Sequence, residues 1–176
     1  LKITILLILI CSGKTLSTMR LTGLRHGAKK NLMKKNKKIV WITGASSGIG
    51  AARAKIYANR GERLILSSRI VDALERVKSE CQNPENIKIL PIDLSDFDAA
   101  RAGVQKAFDF FGRIDVLINN AGVSQRSLIV DTQFDVFKKL IEVDYLGTIA
   151  LSRALLPFFL KQGDGHYVVV SSVMGK

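Results

Sequence analysis

The chain has 176 residues, with 27 Lys or Arg against 15 Asp or Glu, so its formal net charge is +12. A hydrophobic fraction of 47% with only 3 prolines excludes a wholly disordered chain. Cys11 and Cys81 are too few and too far apart for a disulfide scaffold or a Cys-based zinc site, and His26 and His166 are too few for a His-rich metal site. The positive charge is concentrated before Glu62, the first acidic residue.

The first 11 residues form an apolar run interrupted only by Lys2 and Thr4. The run is about half as long as the roughly 20 residues of a membrane-spanning helix. Three origins are open: part of a membrane anchor or signal sequence, translated sequence upstream of a start at Met19 or Met33, or a segment of a soluble domain. An anchor predicts attachment to the endoplasmic reticulum membrane, whereas a start at Met33 predicts a cytoplasmic protein.

Residues 14–38 form a basic arm with nine Lys or Arg and no acidic residue. The arm has no apolar stripe, so we expect a solvated linker or presequence, whose charge could also contact anionic lipid. Nucleic acid is not expected as a partner, because no aromatic residues alternate with the charges. We therefore divide the chain into residues 1–37, which hold the apolar run and the arm, and a domain over residues 38–176.

From residue 38 the apolar pattern alternates between the periods of strands and helices. The pattern predicts strands over residues 38–43, 63–68, 87–92, 114–119 and 166–171. It predicts helices over residues 49–60, 71–81, 96–111 and 133–161. Gly61 and Gly112 fit helix C-termini, Ser95 is a candidate N-terminal cap, and Pro157 is expected to bend the last helix or mark a late break.

Five strands separated by four helices require parallel pairing through right-handed crossovers. The strands are almost continuously apolar, which indicates that helices cover both faces of the sheet. The sequence therefore predicts an α/β fold, a Rossmann-type doubly wound parallel sheet that is truncated after the fifth strand. Ligands of such sheets bind at the carboxyl ends of the strands.

A glycine-rich turn follows the first predicted strand, with the sequence Thr43-Gly44-Ala45-Ser46-Ser47-Gly48-Ile49-Gly50. Glycines at this spacing allow a tight turn and a close approach of the backbone to a pyrophosphate, which the N-terminus of the next helix then binds. The position between a strand and a helix makes this pattern a specific indication of a dinucleotide site.

The end of the second predicted strand distinguishes between cofactors. An acidic residue there binds the ribose 2′-hydroxyl of NAD, whereas a basic residue accommodates the 2′-phosphate of NADP. The chain has Ser68 and Arg69 at this position, and its next carboxylate is Asp72. The guanidinium fork suits a phosphate, so the sequence favours NADP over NAD.

Two further motifs lie at predicted strand ends: Asp93-Leu94, and the tetrad Asn119-Asn120-Ala121-Gly122. Together with the glycine-rich turn, they resemble the short-chain dehydrogenase/reductase family over roughly residues 38–176. Residues 122–128 and 145–148 are similar to its dehydrogenase/reductase member seven subgroup. That resemblance implies a membrane-associated reductase of retinoids, steroids or other carbonyls.

The resemblance also implies roles for individual residues. Four would cradle the pyrophosphate: Gly44, Gly48, Ile49 and Gly50. Ser46 and Ser47 lie in the same loop. The remaining cofactor contacts would come from Asp93 and Leu94 at the adenine, and from Asn120, Ala121 and Gly122 at the ribose. Ser172 would be the catalytic serine, whose hydroxyl hydrogen-bonds the substrate carbonyl.

The chain departs from the family pattern in two places. Asp144 stands where the family has a catalytic Asn, and a carboxylate can accept hydrogen bonds but lacks an amide donor. The family's Tyr-x-x-x-Lys pair, expected about thirteen residues after Ser172, is not among the 176 residues. We therefore expect this chain alone to bind a dinucleotide without turnover.

Three functions are compatible with these patterns. The first is the N-terminal portion of an NADP-dependent oxidoreductase that transfers hydride between nicotinamide and a lipophilic carbonyl or secondary alcohol, retinoid-, steroid- or xenobiotic-like. For it, the family resemblance implies a homodimer that pairs through helices, including the long one. The second is a non-catalytic dinucleotide-binding half-fold, whose last strand would need a partner or a cover. The third is a lipid- or polyanion-binding protein that acts through the basic arm.

Overall fold

The computed structural model describes residues 2–11, 14–15, 19–20 and 37–172. Most of the basic arm, including Met33, lies outside the described residues. In the described part of the chain, eight strands form one sheet: β1 (Lys2–Cys11), β2 (Lys14–Thr15), β3 (Met19–Arg20), β4 (Ile39–Thr43), β5 (Arg63–Ser67), β6 (Ile87–Ile89), β7 (Val116–Asn119) and β8 (Asp164–Ser172).

Helices connect the strands from β4 onward. They are α1 (Gly48–Asn59), α2 (Val71–Ser79), α3 (Phe97–Phe111), α4 (Phe134–Leu140) and α5 (Thr148–Gln162). A π-helical segment over Ile141–Gly147 joins α4 to α5, and 3₁₀ turns lie at Pro84–Asn86 and Ile129–Asp131.

The five predicted strands are β4 to β8, and they pair in parallel in the order β6-β5-β4-β7-β8. This confirms the predicted α/β fold. β1 pairs with β8 in parallel, from Lys2 opposite Asp164 to Ile10 opposite Ser172, and so covers the outer edge of that strand. β2 and β3 pair antiparallel with β1.

Helices cover both faces of the sheet because alternate strand residues point to opposite sides. On one face, Trp41 packs with residues of α3 and α5, including Leu155 and Phe159. On the other face, Val40 and Ile42 pack against α1 and α2. All five side chains are fully buried.

Two local predictions are corrected by the structure. The N-terminal cap of α3 is Asp96, whose carboxylate accepts from the N–H groups of Asp98 (3.1 Å) and Ala99 (2.9 Å). Ser95 instead donates its hydroxyl to the Asp93 carboxylate at 2.7 Å. The cap lies one residue later than predicted because only from there does a side-chain oxygen reach these N–H groups.

Of the two effects predicted for Pro157, a bend or a late break, the break does not occur. The helix continues to Gln162 and ends before Gly163, which has a φ of 77°. Its hydrogen-bond ladder changes at Ile141–Gly147, where the π-helical turn occurs. Pro157 is exposed, so water can reach the carbonyl group that its missing N–H leaves without a partner.

Within the described residues, one helix, Phe134–Gln162, is long and apolar enough to cross a membrane. Its buried side chains include Leu151, Leu155 and Phe159, which pack against the sheet and α3. In this fold it is a core helix of the α/β domain.

Candidate dinucleotide site

The candidate site lies where the strand order of the sheet reverses. β4 lies between β5 and β7. After β4 the chain continues to β5 and β6 on one side of it, and then returns to form β7 and β8 on the other side. A cleft of about 460 Å³ opens at their carboxyl ends. It is lined by twelve of the predicted residues: Gly44, Ser46, Ser47, Gly48, Ile49, Ser68, Arg69, Asp93, Leu94, Asn120, Ala121 and Gly122. We call it the adenosine cleft.

The glycine-rich loop forms the floor of this cleft. Gly44 and Gly48 have φ values of 63° and 53°, a left-handed conformation that glycine adopts most readily. Helix α1 begins at Gly48 after Ser47, whose side chain makes no capping hydrogen bond, and its first turn holds no acidic residue. The first N–H groups of α1 therefore remain available to an anion at the positive end of the helix dipole.

Gly50 lies beneath the loop, outside the cleft lining. A Cβ at Gly50 would come within 2.2 Å of the Gly44 carbonyl oxygen, and one at Gly44 within 2.6 Å of the Ala121 Cα. The predicted contact of Gly50 with the pyrophosphate stays a prediction, and the structure shows in addition a packing role for this glycine. It lets α1 approach the loop closely.

Thr43 joins the glycine-rich loop to the tetrad after β7. Its hydroxyl oxygen accepts from the N–H groups of Asn120 (3.0 Å) and Ala121 (3.1 Å) and donates to the Ile118 carbonyl (3.3 Å). The Asn120 amide donates in return to the carbonyls of Thr43 (3.1 Å) and Gly44 (3.2 Å). These bonds hold the two loops at a fixed separation. The sequence showed Thr43 in the motif but gave it no role.

Charged groups line the far end of the adenosine cleft, after β5 and β6. Arg69 is exposed there, and the Ser68 hydroxyl accepts from the Ile70 N–H at 3.2 Å. Burial alone would raise the pKa of the Asp93 carboxyl. Hydrogen bonds from Ser95, with Arg69 and Lys139 nearby, outweigh burial and lower that pKa below its ordinary value. Asp93 is thus a stable hydrogen-bond acceptor at neutral pH.

A second cleft of about 820 Å³ continues from the first along the strand ends. The two clefts share six lining residues: Ile49, Asn120, Ala121, Gly122, Val123 and Val170. Beyond these, the second cleft is lined by residues of the long helix and of β8, among them Asp144, Tyr145, Thr148 and Ser171. We call it the distal cleft.

Asp144 lies in the π-helical segment and faces the loop after β7. Its carboxylate accepts from the Val123 N–H at 2.8 Å. Burial raises the pKa of the Asp144 carboxyl above its ordinary value, and the hydrogen bond from Val123 offsets only part of that rise. The structure therefore shows this side chain in contact with the loop after β7, which lines both clefts.

The sequence profile of the family described as short chain dehydrogenase matches residues 38–176, which is more than half of the chain. The chain belongs to the short-chain dehydrogenase family. Among curated relatives, the dehydrogenase/reductase SDR family member 7 of Homo sapiens is 46% identical over 142 residues. That match covers 78% of this chain and 42% of the relative. The chain therefore spans less than half the length of this relative.

Solved structures of the short-chain dehydrogenase family have the same fold. A short-chain dehydrogenase from Streptomyces avermitilis matches with a TM-score of 0.73 and 31% identity, covering 80% of this chain and 51% of that one. A metagenomic short-chain oxidoreductase in complex with NADP matches with a TM-score of 0.71 and 32% identity, covering 79% and 64%. These matches agree with an oxidoreductase family that uses a nicotinamide dinucleotide.

Ser172 is the last residue of β8, directly after Ser171 of the distal cleft, and its side chain lies outside the described part. Among the tyrosines, Tyr167 is buried and donates to the Ser152 carbonyl at 2.8 Å. Burial raises the pKa of Tyr167 to about 12, which is unsuited to proton transfer near neutral pH.

Proposed function

We propose that this chain forms the NADP-binding part of an oxidoreductase that interconverts a lipophilic carbonyl compound and its secondary alcohol. The observation that carries the proposal is the continuity of the two clefts. The glycine-rich loop lines the first cleft and its Ile49 reaches the junction with the second, while an exposed arginine lies at the far end of the first cleft. An elongated dinucleotide fits this arrangement because it needs an anion site between two separate ring sites.

The residues present fit such a cofactor. The N-terminus of α1 would bind the pyrophosphate, Asp93 would accept a hydrogen bond from the adenine amino group, and Asn120 would support the ribose. The nicotinamide would then extend into the distal cleft. When bound, NADPH supplies the hydride for carbonyl reduction.

Arg69 supports NADP over NAD. It follows the carboxyl end of β5 and lines the adenosine cleft, while Ser68 beside it leaves room for a phosphate. A guanidinium binds phosphate through a planar pair of N–H donors, which gives both charge and directionality. No carboxylate lies at residues 67–71 to bind a free 2′-hydroxyl.

The apolar lining of the distal cleft favours a lipophilic substrate. Its lining includes Ile149, Val169 and Val170, and Tyr145 contributes an aromatic ring that is 61% exposed. Ser172 would donate its hydroxyl to the substrate oxygen and stabilise the developing alkoxide. Asp144 would hold the loop after β7, which lines both clefts.

Turnover also needs a proton donor, and no tyrosine of the 176 residues is followed by a lysine four positions later. A second candidate is a half-fold that binds the dinucleotide without catalysis. Both candidates bind NADPH. Under the first, a protein that joins this part to a Tyr-x-x-x-Lys pair oxidises NADPH in the presence of a carbonyl substrate, whereas under the second no oxidation accompanies binding.

Dimerisation and membrane attachment remain predictions. A row of side chains on the long helix is exposed, including Phe134 (80%) and Ile141 (56%), which suits pairing of this helix with a second copy. Sedimentation at increasing concentration tests the dimer. Carbonate extraction of cell membranes tests attachment through the N-terminal apolar run.

Substitution of Arg69 tests the proposed cofactor. Loss of a charge-assisted contact to the 2′-phosphate costs about 1.5–3 kcal/mol, so Arg69→Ala should weaken NADPH binding roughly 10- to 100-fold. NADH binding should be unchanged. Arg76→Ala, which removes an exposed arginine from α2 outside both clefts, is the matched control. Equal effects of Arg69→Ala on both cofactors would contradict the preference for NADP.

A further inference from the structure

A hydrogen bond between two side chains lies in the sheet beneath the adenosine cleft. The indole Nε1 of Trp41, in β4, donates to the Ser67 hydroxyl oxygen, in β5, at 2.8 Å. The two residues are 0% and 1% exposed. Trp41 is opposite Ile65 in the strand register, so Ser67 lies two residues farther along on the same face.

Ser67 also anchors the end of β5 through its backbone. Its carbonyl accepts from the N–H of Ala45, in the glycine-rich loop, at 3.1 Å. The carbonyl of the next residue, Ser68, accepts from the Ile92 N–H at 3.1 Å. Arg69 follows directly. Arg69 therefore lies two residues after Ser67, which hydrogen bonds hold through both its side chain and its backbone carbonyl.

In the Trp41–Ser67 hydrogen bond, the buried indole is the donor and the serine hydroxyl is the acceptor. An indole can only donate, and Ser67 is the acceptor that it meets in this apolar cluster. A buried donor without a partner is costly, so each residue restricts the conformations of the other. Trp41 thus selects one rotamer of Ser67 and one position of the strand end.

We infer that Trp41 and Ser67 are positioning residues for cofactor selectivity, holding the end of β5 so that Arg69 is directed at the 2′-phosphate of the dinucleotide. The inference rests on the proposed function. Neither residue lines the adenosine cleft, so neither contacts the cofactor itself. Their effect passes through the backbone to Arg69.

This arrangement has a distinctive signature. Loss of the hydrogen bond should weaken the contact that NADPH alone makes and leave the contacts shared with NADH in place. A role in general stability would instead affect both cofactors equally, because both use the glycine-rich loop and Asp93. The ratio of the two dissociation constants separates these roles.

The experiment measures NADPH and NADH dissociation constants for Ser67→Ala, Trp41→Phe and the double variant of the 176-residue chain. Each single variant should weaken NADPH binding roughly fivefold, as expected for loss of one neutral hydrogen bond, with NADH unchanged. The double variant should be no weaker than the single variants, because both remove the same bond. Ile65→Val is the control, since it loses buried volume on the same face of β5 without touching the bond.

A second set of measurements places each variant in the Arg69→Ala background, where Ser67→Ala should no longer change NADPH binding. Ser67→Ala removes one oxygen atom and is the conservative test if Trp41→Phe does not fold. Trp41 is the single tryptophan, so its emission reports loss of the bond in Ser67→Ala without any cofactor.

An unchanged NADPH to NADH ratio in folded Ser67→Ala, or an equal loss for both cofactors, would overturn the inference while the proposed function stands. Failure of the unmodified chain to bind either cofactor would instead overturn the proposed function, and the inference with it. A changed ratio in Ser67→Ala that persists in the Arg69→Ala background would also overturn the inference, because the effect would not pass through Arg69.

Discussion

The carboxylate of Asp144 accepts a hydrogen bond from the backbone N–H of Val123 at 2.8 Å. This bond ties the π-helical segment of the long helix to the loop after β7, which lines both clefts. The Asp144 oxygen would lie 3.3 Å from a Cβ placed on Gly122, so the helix and the loop are in close contact. Asp144 therefore supports the position of the loop while keeping a negative charge beside it.

Asp144→Asn should change how stability depends on pH. Because burial raises the pKa of Asp144 in the folded chain above its ordinary value of 3.8, the folded state holds its proton longer than the unfolded state. The contribution of Asp144 to the free energy of unfolding is therefore fully present below pH 3.8 and is lost as the pH rises through the folded-state pKa. Asn has no such dependence, so Asp144→Asn should gain stability relative to the unmodified chain as the pH rises from below 3.8 through the folded-state pKa.

Urea unfolding at a series of pH values measures this difference. Asp131→Asn is a suitable control, because it removes an exposed carboxylate from a 3₁₀ turn outside both clefts. A stability difference between Asp144→Asn and the unmodified chain that stays constant with pH would contradict the assigned effect of burial.

The glycines of the loop should respond differently to substitution. Gly50→Ala places a Cβ 2.2 Å from the Gly44 carbonyl oxygen, a backbone atom that cannot move without displacing the loop. We expect a loss of several kcal/mol in unfolding free energy, as for other overpacked sites, and loss of NADPH binding. Gly48→Ala meets no atom within 4 Å and should cost only about 1–2 kcal/mol for its positive φ.

Thermal unfolding of the two alanine variants makes this comparison. Equal losses of stability at Gly48 and Gly50 would show that backbone conformation, and not the close approach of α1, determines the need for glycine in the loop.

The sequence predicted the fold more fully than it predicted the contacts within the site. The strand and helix periods located β4 to β8 along the chain, because strands such as β4 and β7 are buried apolar runs. The close packing of Gly50 against Gly44 was not predicted, since spacing shows where a glycine occurs but not which atom approaches it. The π-helical turn at Ile141–Gly147 was missed because it carries no composition signal of its own.

The hydrogen bonds of the site were the least predictable feature. Thr43 and Asn120 are 77 positions apart, and Trp41 and Ser67 are 26 apart. Such pairs depend on the register between strands, which a single sequence does not specify. Asp96 in place of Ser95 as the cap shows the same limit at short range, since both residue types are good caps.

Thr43→Val should loosen the junction between the glycine-rich loop and the tetrad. Valine has the shape of threonine but cannot accept from the N–H groups of Asn120 and Ala121, which are bound at 3.0 and 3.1 Å. We expect a loss of roughly 1–3 kcal/mol in unfolding free energy and weaker binding of both NADPH and NADH.

Thr43→Ser retains the hydroxyl and is the matched control for this substitution. Calorimetric titration of both cofactors into the two variants gives the comparison. If the serine and valine variants bind equally weakly, the methyl group and not the hydrogen bonds is the important part of Thr43.

The central claim is that the adenosine cleft binds the 2′-phosphorylated end of a dinucleotide. It is tested most directly by calorimetric titration of NADPH into the folded 176-residue chain, alone and in the presence of 2′,5′-ADP. We predict one NADPH per chain, tighter binding than for NADH, and competition by 2′,5′-ADP because that fragment occupies the adenosine cleft. A folded chain that binds neither NADPH nor 2′,5′-ADP would contradict the claim.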